Sequence, residues 1–130
     1  MQNEPVWLTA DVVIAYNELA VGDSDEPHAV INEGALESAL GKPINHWHYG
    51  ETDAVVLAVT LIVGIGRNHP FLQGNKRAAF AAADYFLYLN GYNLVIPDGA
   101  DLGDLVKDVI IGDVSEQRLV EAIWDYIEPA

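Results

Sequence analysis

His69-Pro70-Phe71-Leu72-Gln73-Gly74-Asn75-Lys76-Arg77 stands between two apolar segments, and its reading decides how the rest of the chain is arranged. Before it, residues 54–66 run without a charged side chain; after it, residues 78–89 are rich in Ala and aromatic residues and end at Asn90-Gly91. The first segment is too short to cross a bilayer, which takes about 20 apolar residues. A charge-free run of this kind predicts a buried helix starting at Thr52 or Asp53 and ending near Arg67. The second segment predicts a helix from about Asn75 to Asn90, closed by Gly91 in a left-handed conformation. Phe80, Ala83, Leu87 and one side of Tyr85 and Phe86 are its candidate core residues. The quoted stretch is therefore a junction between helices, carrying a His, a Gly, an Asn and two adjacent cations. Amides that open a helix lack partners and carry partial positive charge, so such a junction suits a phosphate.

Outward from the junction, the pattern is helical almost throughout. Residues 6–21 place Val6, Leu8, Val12, Val13, Tyr16, Leu19 and Ala20 at helical spacing, with Thr9 as N-cap. Residues 22–27 are turn formers and acids and predict a loop. Asn32 caps a short second helix through Leu40, which Gly41 and Pro43 end. Residues 42–51 show no helical period: Ile44, His46 and His48 alternate with Asn45, Trp47 and Tyr49, which predicts a short hairpin or ordered loop. His46 and His48 have the spacing of a strand chelate but no third ligand, so packing or surface roles are expected. Residues 92–97 are extended by composition and are expected to link rather than to build a sheet. A fifth helix over residues 101–111 stops at Gly112, and Asp113-Val114-Ser115-Glu116 opens a last helix to about Ile127. Six helices with short connections predict an all-α bundle forming a single domain over residues 1–130.

Composition narrows the function classes. There is no Cys, so disulfide frameworks and Cys-based zinc sites are excluded. The N-terminus lacks the basic-then-apolar pattern of a signal peptide, and a cytoplasmic protein without a membrane partner is expected. With a formal net charge of −14 and only six Lys plus Arg, no nucleic-acid partner is expected. Half of those six cations, Arg67, Lys76 and Arg77, gather at the junction, whereas the acidity elsewhere reads as a solvated surface.

As chemistry, these parts suit transfer of a phosphate-containing group. Gly74 lets backbone approach an anion, the amides of Asn75, Lys76 and Arg77 can cradle its oxygens, and the two cations add charge where it develops in the transition state. His69 is the group in the stretch suited to moving a proton near neutrality, so it is the candidate general base. Phe71 is expected to point inward and anchor the loop. Asp84, seven residues beyond Arg77, reads equally well as its orienting partner or as plain surface. The plainer alternative for the whole stretch is a helix start with a Gly turn and two surface cations.

Residues 69–77 resemble the H-x-F-x-acidic-G-N-x-R signature of the Fic/Doc superfamily. Lys76 makes the ending Asn-Lys-Arg, as in the Doc (death-on-curing) branch, instead of the Asn-Gly-Arg of typical Fic proteins. Residues 32–40, 49–51 and 86–92 extend the resemblance over nearly the whole chain. It implies a compact Fic fold of about six helices with a short β-hairpin flap. That flap falls on about residues 42–49, where Lys42, Ile44, Asn45, His46 and Trp47 would dock a target chain by strand-like pairing. It implies transfer from a nucleoside triphosphate, ATP foremost, with Mg2+, to a protein hydroxyl. Typical Fic members attach AMP; the Doc branch is associated with phosphorylating elongation factor Tu and arresting translation.

Carried over residue by residue, the resemblance makes His69 the base, Lys76 and Arg77 the phosphate clamp, Gly74 part of the nucleotide-binding loop, and Asn75 a phosphate or metal contact. It also implies a separate antitoxin partner. The closest match to the restraining Ser/Thr-x-x-x-Glu-Gly/Asn helix of Fic proteins, residues 29–34, begins with Ala29 and is not read as an inhibitor. The chain departs from the family at Gln73, where the family's magnesium-holding acid would stand; a neutral amide is a much weaker ligand for a hard cation. Two classes of function follow. One is a Doc-like toxin transferring a phosphoryl group, with AMP transfer as its variant. The other is a Fic-fold module that binds a nucleotide or a partner after losing its chemistry at Gln73. Retention of His69, Asn75, Lys76 and Arg77 favours the first.

Overall fold

A computed structural model describes residues 3–22 and 29–129. Among these residues six helices follow in order: α1 (Ala10–Gly22), α2 (Glu33–His48), α3 (Ala54–Asn68), α4 (Asn75–Leu89), α5 (Gly103–Ile111) and α6 (Glu116–Trp124). Two short strands, β1 (Tyr92–Leu94) and β2 (Ile127–Pro129), pair antiparallel. The fold is all-α with this small sheet added.

The charge-free stretch forms α3 at the centre. Asp53 caps it, its Oδ1 accepting from Val55 N at 2.8 Å, and every residue from Leu57 to Gly66 is buried. The helix ends at Asn68 because Pro70 disfavours right-handed helical backbone at the residue before it. α4 packs on α3 and α1, and its Ala78, Ala79, Ala82 and Ala83 are all buried; such small side chains let neighbouring helices approach closely. Trp7, ahead of α1, stacks on Phe86 of α4 with centroids 5.8 Å apart, and the Asn90 side chain accepts from Val6 N and donates to Val6 O. At the other end of the bundle Gly66 meets α5: a Cβ there would lie 2.5 Å from Ile110 Cδ1, so any larger residue would force the Ile110 side chain to shift.

Several expectations need correction. Helix α2 does not stop at Leu40. It is capped by Asn32 as expected, but runs through Pro43 to His48. Residues 42–49 are therefore not a hairpin flap: Lys42, Ile44, Asn45, His46 and Trp47 lie on the last turns of α2. The roughly 3 kcal/mol that an interior proline costs a helix is offset by packing. Pro43 is buried in the core, and the Trp47 ring packs edge-on against Trp7 with centroids 6.5 Å apart. Residues 92–94 do build a sheet, with Leu94 opposite Ile127 and Tyr92 opposite Pro129. α6 consequently ends at Trp124, short of the expected Ile127, which the strand recruits. In α1 the buried face is Val13, Asn17 and Val21, whereas Leu19 is 70% exposed. The loop expected over residues 22–27 begins as the last residue of α1, and its remainder lies outside the described residues.

Candidate active site

The junction between α3 and α4 is built around two left-handed residues. His69 follows α3 with φ 47 and ψ 56, the one non-glycine positive φ among the described residues, and its amide donates to Ile65 O. Gly74 precedes α4 with φ 76. Between them Phe71 points into the core, 1% exposed, and its burial contributes roughly 2–3 kcal/mol to holding the loop down.

Asn75 ties the loop together. Its Oδ1 accepts from Phe71 N at 3.0 Å, and its Nδ2 donates to Phe71 O at 2.9 Å and lies 3.2 Å from His69 Nδ1. The exposed His69 ring is thus held from below by a residue only 8% exposed itself. Two further anchors come from α1. Asn17, fully buried, donates from Nδ2 to Gln73 O at 2.7 Å, and Arg77 Nη1 donates to Ala20 O at 2.8 Å. A Cβ on Gly74 would lie 2.9 Å from Val21 Cγ1 and 3.0 Å from Asn17 Nδ2. Glycine is therefore required here for space as well as for φ.

The three clustered cations separate. Arg67 is turned away to α5, where Nε donates to Ile110 O at 2.9 Å and Nη2 to Val109 O at 3.1 Å. There it satisfies carbonyls at a helix C-terminus. Lys76 and Arg77 instead line one end of a cavity of about 410 Å³ beside α4. Phe80, Ile96, Leu102 and Val106 wall it, and Asp84 and Asp101 add carboxylates. Asp84 shares this wall with Arg77, and burial raises its carboxyl above the ordinary range. Asp101 Oδ1 accepts from Gly103 N at 2.7 Å.

The predicted site residues divide accordingly. His69 and Asn75 meet at 3.2 Å, and Arg77 Nη2 lies 3.8 Å from where a Gly74 Cβ would stand, whereas Lys76 and Arg77 line a cavity whose lining does not include His69. Those assigned to a flap do not join them. α2 meets the junction at its N-terminal end, where Asn68 Nδ2 donates to Ala35 O, and Trp47 lies about 18 Å farther along the helix. His46 is exposed there, and His48 lies 3.8 Å from Glu4. The extended backbone beside the motif is instead residues 29–32, where Leu72 N donates to Ala29 O at 2.9 Å and Ile31 N to Pro70 O at 2.8 Å.

A protein-held magnesium ion is poorly served by the donors present. Gln73 brings only an amide, the Asn75 oxygen is engaged with Phe71, and among the described residues no three His, Asp or Glu gather to hold a metal. Magnesium prefers carboxylate and phosphate oxygens, so these residues do not fit a metal held by the protein alone. Sequence reasoning missed Asn17. Its signal was present: a polar residue on the same stripe as Val13 and Val21, four residues from each, on the face that the chain buries.

A buried central helix, a left-handed His at its end and a glycine-led helix start with two cations define a class of protein. The chain belongs to the Fic/DOC family, whose model matches residues 7–87. It is 40% identical over 110 residues to Toxin Doc of Mycolicibacterium smegmatis, a match covering 82% of this chain and 77% of that protein. It is 30% identical over 91 residues to Protein kinase doc of Escherichia phage P1, covering 69% of this chain and 71% of the relative. No helix among the described residues is long and apolar enough to cross a membrane.

Proposed function

We propose that this chain is a Doc-like toxin that moves the terminal phosphoryl group of a nucleoside triphosphate, ATP foremost, onto a hydroxyl of a protein target. The observation that carries the reading is the junction at Gly74, where α4 opens: Asn75 there holds the His69 ring, and Lys76 and Arg77, the next two residues, line the adjoining cavity. The name of the phage relative supports a kinase and that of the mycobacterial relative a toxin, and the separate antitoxin is proposed on the family resemblance. Elongation factor Tu is the target we propose, on the family resemblance, and its acceptance places the action in the cytoplasm.

In this reading the triphosphate lies over the start of α4. Backbone amides and the two cations take its oxygens, and the nucleoside lies in the adjoining cavity against Phe80 and Leu102. The acceptor oxygen bonds to the terminal phosphorus as the bond to the leaving nucleoside diphosphate breaks. His69 takes the hydroxyl proton, and Lys76 and Arg77 stabilise the charge that moves onto the leaving oxygens. The bulk of Lys76, where a Gly would leave room, favours presentation of the terminal rather than the inner phosphorus. Any magnesium at the site is carried in by the triphosphate, with Gln73 the nearest side chain in sequence to the family's metal position. Docking of the target falls to the extended backbone of residues 29–32, whose pairing with the motif loop offers a strand-like edge.

The test is to incubate the protein with ATP or GTP and a divalent metal in a bacterial lysate and read target masses. A phosphoryl-sized adduct that vanishes in His69→Ala is expected. A nucleotidyl-sized adduct moves the chain to the AMP-transferring class. No adduct, even from Gln73→Asp, leaves only the binding-module reading, which the neutral Gln73 favours.

A further inference from the structure

The Asn75 amide cannot be turned over. Its Oδ1 faces the Phe71 N–H and its Nδ2 faces the Phe71 carbonyl, so exchanging the two atoms would set donor against donor and acceptor against acceptor in a buried place. With that orientation fixed, the group directed at His69 Nδ1, 3.2 Å away, is an N–H. An amide nitrogen only donates, so Nδ1 must be the nitrogen that carries the lone pair. The backbone of His69 is fixed too, because its amide is bonded to Ile65 O and its φ is left-handed.

We propose that Asn75 is a positioning residue that holds neutral His69 as its Nε2–H tautomer, so that the resting ring presents a hydrogen-bond donor outward. The inference rests on the phosphotransfer reading only for its consequence. An arriving phosphoryl oxygen meets an N–H at His69, while an arriving hydroxyl finds no lone pair at Nε2. For His69 to take the hydroxyl proton at Nε2, the ring must first exchange tautomer, losing the proton at Nε2 as one is gained at Nδ1, and this breaks the Asn75 contact. The imidazolium formed in the transfer step carries N–H on both nitrogens and cannot keep that contact either. Asn75 thus keeps the base out of its reactive form until the site rearranges.

The test uses the full chain labelled with 15N-histidine, in mildly alkaline buffer, with the two ring nitrogens assigned by long-range proton–nitrogen correlation. The exposed ring of His46 serves as the internal reference for an imidazole mixture of both tautomers. His69 is expected to show almost pure Nε2–H, with the deshielded lone-pair shift on Nδ1. Asn75→Asp, which still accepts from Phe71 N but sets a carboxylate oxygen against Nδ1, is expected to convert most of the His69 population to Nδ1–H. A wild-type His69 with the same mixture as His46, or with mainly Nδ1–H, overturns the proposal whether or not the variant folds. The two readings fail separately. A mixed tautomer in a protein that still transfers phosphate sinks only the role of Asn75. A pure Nε2–H ring in a protein that transfers nothing sinks only the phosphotransfer reading.

Discussion

Asn75 closes a ring with the backbone of Phe71, accepting from its N–H at 3.0 Å and donating to its carbonyl at 2.9 Å. One side chain thereby satisfies both backbone groups of the residue that plugs the loop into the core. Asn75→Ala leaves both unpaired in a buried setting, which costs about 2–4 kcal/mol in all. Urea denaturation should show that loss, with transfer activity falling as well. Asn75→Asp keeps the acceptor for Phe71 N but sets a carboxylate oxygen against the Phe71 carbonyl in the same buried place, so it should be destabilised as well. The 3.2 Å contact to His69 is a smaller matter: releasing a neutral hydrogen bond costs about 1 kcal/mol. A general base contributes about 10²–10⁴ in rate, so the tautomer exchange is well within what catalysis can overcome.

Gly74→Ala should be markedly worse than Gly91→Ala. Both glycines have positive φ, 76 and 93, so both variants carry the strain of a left-handed Ala, about 1–3 kcal/mol. A Cβ at Gly91 meets nothing within 4 Å, whereas one at Gly74 presses on Val21 and on the Asn17 amide that holds Gln73 O. Comparing the two denaturation midpoints isolates the contact from the strain. Gly74→Ala should also weaken nucleotide binding, read by calorimetry, and Gly91→Ala should leave it unchanged.

Burial raises the Asp84 carboxyl above its ordinary value of 3.8. A raised carboxyl binds a proton in the folded chain over a window where the unfolded chain has released it, so a modest fall of stability is expected as pH rises through that window. The contribution is fully present below 3.8 and is lost as pH climbs past the raised value. Asp84→Asn should flatten this part of the pH–stability curve and leave the protein somewhat more stable at neutrality, as urea titrations across weakly acidic buffers would register. A decline of the same slope in the variant assigns the effect to other groups.

The caps and stops were legible because each is a local rule obeyed locally. Asn32, Asp53 and Ser115 cap α2, α3 and α6 with their own side chains, and Gly112 ends α5 in the left-handed region. The motif was legible because its residues are contiguous in sequence. The misreadings share a different cause. Pro43 breaks a helix by local rules, yet the helix continues because Pro43 is buried and Trp47 reaches Trp7, a partner far away in sequence. The β1–β2 pair joins residues on either side of α5 and α6, and three-residue strands carry no periodicity to announce them. Asn17 was readable as an oddity on an apolar stripe, but its purpose required knowing that Gln73 lies above it.

Gln73→Asp should raise the rate of transfer at a given magnesium concentration and sharpen its dependence on that metal. A carboxylate supplies the hard, charged oxygen that the present donor set lacks. Initial rates against magnesium for the two proteins make the comparison; superimposable curves would mean that no metal ligand is needed at this position.

The central claim, phosphoryl transfer with His69 moving the proton, is tested most directly by where a label ends up. The protein is incubated with its protein target and with ATP labelled in parallel at the terminal or at the inner phosphorus, and label on the target is counted for wild type and His69→Ala. Retention of the terminal label alone, lost in His69→Ala, is the result expected. Retention of the inner label, or terminal label undiminished in His69→Ala, contradicts the account.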